Sequence, residues 1–144
     1  MAGIDKDIIH KEIDLIEGCI NRMAKNSFLI KGWTISLIGI VLAMMPKGEP
    51  VALFYGCIIL MLAVIAFWNL DAFYLNKEKM FIKLYETVVL LRLNGNDDKL
   101  YNLNCNRMKD KVKGIRLLSP SLIAFYLPPI LLLIMCMLYN RQFL

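Results

Sequence analysis

Twenty consecutive residues, Val51–Leu70 (VALFYGCIILMLAVIAFWNL), carry no charged side chain. An α-helix crossing the hydrocarbon of a bilayer needs about 20 apolar residues, and in hydrocarbon the backbone must satisfy its own hydrogen bonds. Two more apolar windows occur, Phe28–Met45 (FLIKGWTISLIGIVLAMM), with Lys31 near its start, and the uncharged Ser121–Tyr139. Hydrophobic residues make up 58% of the 144, and mean hydropathy is +0.56. A soluble domain is about half apolar, so the surplus is concentrated in these three windows. The expectation is an all-α integral membrane protein with three transmembrane helices and a small cytosolic helical layer, without strands.

The segments between the windows divide the chain. Residues 1–26 read as an amphipathic cytosolic helix, with Ile9, Ile13, Ile16, Ile20 and Met23 forming one apolar stripe. Asp5, Asp7, Lys11, Glu12 and Arg22 fall mostly off that stripe, and Asp5 is placed to cap the start. Residues 27–70 form a two-helix transmembrane hairpin about the turn Pro46–Pro50, whose prolines stop one helix and open the next. Residues 71–118 are a cytosolic helical extension and basic segment. The second helix runs on through Phe73, Lys77, Met80, Phe81, Leu84 and Val88 and ends at Asn94–Asp98. Leu100, Leu103, Met108, Val112 and Ile115 are the apolar positions of a partly helical stretch at 99–118. Residues 119–144 supply the third transmembrane helix and tail, with Pro128–Pro129 near its middle. Met45–Pro46 offers no small-residue cleavage site, so the first span is expected to be retained.

Loop charge gives the topology. Net charge is +5, and the 71–119 connection holds Lys77, Lys79, Lys83, Arg92, Lys99, Arg107, Lys109, Lys111, Lys113 and Arg116. The 46–50 turn holds Lys47 and the C-terminal tail holds Arg141. The N-terminus and the long connection are therefore expected on the cytoplasmic side, and the C-terminus outside.

Chemistry is sparse. One histidine, His10, and four scattered cysteines without a CxxC pair give no zinc or disulfide framework, and free thiols in a reducing compartment are expected. No phosphate-cradling glycine loop, HExxH or nucleophile elbow occurs, so neither an enzyme nor a cofactor is expected. Asp71 lies at the cytoplasmic edge of the second span, where Lys31 of the first span is its natural partner. Thr34, Ser36 and Asn69, with the helix-distorting Pro128 and Pro129, complete the candidate pore or interface positions beside Lys31 and Asp71. Lys77, Lys79, Lys83, Arg107, Lys109, Lys111, Lys113 and Arg116 form a candidate anionic-ligand surface, suited equally to anionic lipid. Three helices in one chain enclose no lumen, so a pore would need several copies.

Two stretches, INRMAKNSFLIKGW (Ile20–Trp33) and FWNLDAFYLNKEKMFIKLY (Phe67–Tyr85), resemble a family of small bacterial membrane proteins encoded in phage-defence islands. Among these the likeness is to the transmembrane effectors of Hailong anti-phage systems. The resemblance implies an inner-membrane homo-oligomer, taken as a tetramer. Its partner would be a nucleotidyltransferase whose oligonucleotide product holds the effector inactive, and release of that ligand would depolarise the membrane. It carries over no ligand contact, so the basic surface rests on charge and position alone. The alternative reading is a non-conducting membrane adaptor that recruits a cytosolic partner. Expression without neighbouring genes separates the two: a channel effector is expected to be toxic by growth assay, and an adaptor silent.

Overall fold

The computed structural model describes residues 6–44, 49–96, 100–112 and 119–141. Among them the element order is helix α1 (Lys6–Met44), helix α2 (Pro50–Leu93), a short 3₁₀ helix (Cys105–Lys111) and helix α3 (Pro120–Arg141), with no strand. All three α-helices are long and apolar enough to cross a membrane. Asp5, Lys47, Lys99, Lys113 and Arg116, the turn residues Pro46 and Gly48, Asp97 and Asp98, Ile115, and the side chain of Arg141 lie outside the described residues.

The N-terminal amphipathic helix and the first apolar window are one continuous α1 rather than two helices. Asn26–Ser27 resembles a capping site, but the Ser27 hydroxyl donates to a carboxylate on α2 and leaves the helix uninterrupted. Helix α2 starts at Pro50, where a missing N–H costs nothing. It ends in paired bonds, with Gly95 N donating to Arg92 O and Asn96 N to Leu91 O, both at 3.0 Å. That closure requires Gly95 at a positive φ of 66°, cheap only for a residue without Cβ. The helicity expected at 99–118 appears in the described residues as the 3₁₀ helix, capped by the Asn104 side chain accepting from Asn106 N. Helix α3 opens at Pro120, with Ser119 O accepting from Leu122 N and Ile123 N.

The chain forms two compact units. The first comprises Met1–Asn26 and Phe73–Ile115, the second Ser27–Ala72 and Arg116–Leu144. In the first, Ile16 packs with Met80, Leu84, Val88, Cys105 and Met108, while Ile20, Phe81, Tyr85, Leu103 and Val112 close around them. The four-residue steps Met80–Leu84–Val88 make one face of α2, and Arg92 is the next step. On α1, Glu12 stands one turn before Ile16. Glu12 is buried, not solvent-facing as its place off the isoleucine stripe suggests, because it receives Arg92 Nε at 2.8 Å and Arg92 Nη2 at 3.0 Å. Arg92, counted by sequence as a loop charge, is thus buried and neutralised.

Glu12 also accepts from Tyr101 N at 2.8 Å, and Arg92 Nη1 donates to Asn96 O at 2.6 Å. The pair therefore holds the chain at both described ends of the 96–101 connection. Burial alone would raise the Glu12 pKa, but the Arg92 hydrogen bond, the Tyr101 N–H and the Arg92 charge outweigh it and hold the pKa below 4.5. A lowered carboxylate pKa adds stability that is full above the ordinary value and lost as pH falls through the lowered one. Glu12→Gln is expected to cost about 3 kcal/mol at neutral pH, the low end for breaking a buried pair. Thermal unfolding in detergent, followed by circular dichroism, should show wild type losing its advantage over this variant as pH drops below 4.5.

Candidate functional site

Within the second unit, Ser27, Lys31 and Thr34 recur at steps of four and three and so share one face of α1. Asp71 lies near the end of the apolar run of α2, and Tyr126 lies one turn after Leu122 on α3. Asp71 and Tyr126 are fully buried, as is Leu122 beside the latter.

These side chains meet at the Asp71 carboxylate. Lys31 Nζ is 2.6 Å from Oδ2, the Tyr126 hydroxyl donates to Oδ2 at 3.2 Å, and the Ser27 hydroxyl donates to Oδ1. Lys31 Nζ also donates to Ser27 Oγ at 2.9 Å and lies 5.9 Å from the Phe125 ring centre. Trp68 stacks on Tyr126, with ring planes 4° apart and centroids at 5.8 Å. All three α-helices contribute to this one cluster. Lys31 stays one-quarter exposed, as a lysine does when its stem packs on apolar surface and its head stays near the edge.

The ion pair expected between Lys31 and Asp71 is present; the partners of Asp71 extend further. Ser27 is legible in retrospect, one helical turn before Lys31. Tyr126 carries no sequence signal beyond a polar group in an apolar window. Of the other pore or interface candidates, Thr34 adjoins the cluster, its buried side chain within hydrogen-bonding reach of Tyr126. Its hydroxyl donates to Ile30 O of its own helix at 2.8 Å. Asn69 is exposed and likewise donates to Ile65 O, and Ser36 is exposed. Pro128 is exposed and Pro129 half-buried on α3.

The described basic candidates, Lys77, Lys79, Lys83, Arg107, Lys109 and Lys111, belong to the first unit. Lys77 Nζ donates to Asn106 Oδ1 at 2.8 Å, which joins α2 to the 3₁₀ helix. Arg107 follows Asn106, and its Nε and Nη1 are buried without a hydrogen-bond partner. Lys79, Lys109 and Lys111 are exposed. Lys83 pairs with Glu86 at 2.6 Å, so its charge is already balanced within one turn. All four cysteines are free thiols, and among the described residues no group of three His, Cys, Asp or Glu forms a metal site. Comparison of the chain with protein-family models, with curated proteins and with solved structures finds no match.

A buried carboxylate stripped of its partner is far costlier than an apolar side chain in its place. Lys31→Met and Asp71→Asn are each expected to destabilise the detergent-solubilised chain by about 3 kcal/mol, while Lys31→Met/Asp71→Asn recovers much of the loss. Additive losses in the double variant, read from thermal unfolding, would mean that the two groups act independently.

Proposed function

We propose that this chain is a multi-pass protein of the bacterial inner membrane that conducts ions as a homo-oligomer and is controlled by an anionic ligand, as expected of an anti-phage defence effector. The observation that carries the reading is the Lys31–Asp71 pair buried among helices of membrane length. Stability alone is served as well by apolar residues of similar size, so an ionised pair among such helices points to ion movement or its control. Within the most apolar window of each helix only 17% of residues are buried, which leaves wide faces for lipid and for other copies. A conducting path then arises between copies, because one chain of three helices encloses none.

Charge supports the rest. Among the described residues, Lys77, Lys79, Arg107, Lys109 and Lys111 have no acidic partner within ion-pair distance, unlike Lys83. Such a group suits a polyanion such as an oligonucleotide made by a partner nucleotidyltransferase, and stronger binding to the closed state would hold a channel shut. The same basic residues favour a cytoplasmic position for their segment, with the N-terminus inside and the C-terminus outside. Ile82, Leu90 and Leu93, exposed on α2 beyond its uncharged run, favour the adaptor as the second reading.

Ion flux from liposomes containing the purified chain tests the proposal. Flux suppressed by short single-stranded oligonucleotides is expected, and replacing Lys109, Lys111 and Lys113 together by glutamate should remove that suppression without loss of helicity. No flux under any condition from a folded oligomer favours the adaptor; unchanged oligonucleotide affinity in the triple variant overturns the ligand surface.

A further inference from the structure

Two oxygen atoms, one charged and one neutral, lie against the Lys31 ammonium. Asp71 supplies a full negative charge, with Oδ2 at 2.6 Å from the ammonium nitrogen, and Ser27 supplies Oγ at 2.9 Å. The Tyr126 oxygen adjoins Asp71 Oδ2 at 3.2 Å and reaches Phe67 O at 3.5 Å. Asp71, Ser27 and Tyr126 are all more than nine-tenths buried, so their positions are fixed by packing and not by solvent. Lys31 alone is partly exposed, on a four-carbon stem able to carry its charge away. Pro128 and Pro129 cannot donate to the carbonyls of Ala124 and Phe125, so two further oxygens on the turn bearing Tyr126 lack their usual helical donors.

We propose that Asp71, Ser27 and Tyr126 form a monovalent-cation site whose resident occupant is the tethered ammonium of Lys31, and that an alkali cation exchanges with it. Charge decides the class of ion. One carboxylate with neutral oxygen donors balances a single positive charge, as it does for Lys31. A divalent ion would carry an uncompensated charge into apolar surroundings. Alkali cations are hard and take oxygen donors, the only kind the cluster offers. In the conducting reading above, on which this inference depends only for its physiological consequence, Lys31 is then a built-in competitor for the permeating ion.

The stacked Trp68 reports on the cluster directly. With Trp33, which is exposed, changed to Phe, Trp68 is the sole tryptophan of the 144 residues. Its emission and the unfolding temperature are followed in detergent as choline chloride is replaced by LiCl, NaCl or KCl at constant ionic strength. In Lys31→Met a saturable response to at least one alkali cation is expected, and in Lys31→Met/Asp71→Asn none. With Lys31 present the midpoint should rise by roughly tenfold or more, since the ammonium lowers the fraction of sites open to the ion. Should Lys31→Met fail to fold in choline, recovery of folded protein in an alkali salt supports exchange, and recovery in neither overturns it. A flat response in Lys31→Met, or an equal response in the double variant, also overturns it. Flux plays no part in this readout, so failure of the cation site and failure of the conducting reading are separately visible.

Discussion

Asp71 is a carboxylate with no exposed surface in a run of α2 otherwise free of charge, and the second unit is organised around making that tolerable. An isolated ionised group in such surroundings costs several kcal/mol or more, which no single hydrogen bond repays. The cost is met by three donors of different kinds. Lys31 brings a charge from α1, Ser27 a hydroxyl from the preceding turn of the same helix, and Tyr126 a phenol from α3. Each also fixes something besides the carboxylate: Ser27 orients Lys31, and Tyr126 seats the ring of Trp68. The contact of three helices at one point thus follows from the needs of one acid.

The first unit repeats the device with the roles exchanged. There α1 gives the acid, Glu12, and α2 the base, Arg92, whereas in the second unit α1 gives the base and α2 the acid. Both pairs sit at ends of apolar faces, where a shift of one helical turn would strand a charge without its partner. Apolar seams alone tolerate such shifts, since one leucine resembles the next. Register within each unit is therefore specified by charge, while apolar packing supplies the bulk of the contact.

Much of the architecture was legible in the sequence because it depends on length and period. The three apolar windows, the continuation of α2 to the Asn94–Gly95 stop and the Lys31–Asp71 pair all follow from spacing and hydropathy. The readings that needed correction are those in which a polar residue has a distant partner. Glu12 and Arg92 lie 80 positions apart, and no local pattern distinguishes them from solvated charges. Ser27 likewise gives no local sign of its carboxylate partner, 44 positions away. The Lys83–Glu86 pairing, by contrast, is local, at a three-residue step visible in the sequence.

The order in which the cluster's members occur along the chain bears on how such a protein is made. Lys31 and Asp71 belong to successive helices, and Tyr126 comes 55 positions after Asp71. A ribosome therefore completes an α1–α2 hairpin whose opposite charges can already cancel before the third helix exists. In the membrane reading, Lys31 and Asp71 enter the lipid together, as a pair whose charges cancel within one hairpin. The later helix contributes only a hydroxyl, which makes its docking an adjustment to a finished ion pair and not a rescue of an exposed charge.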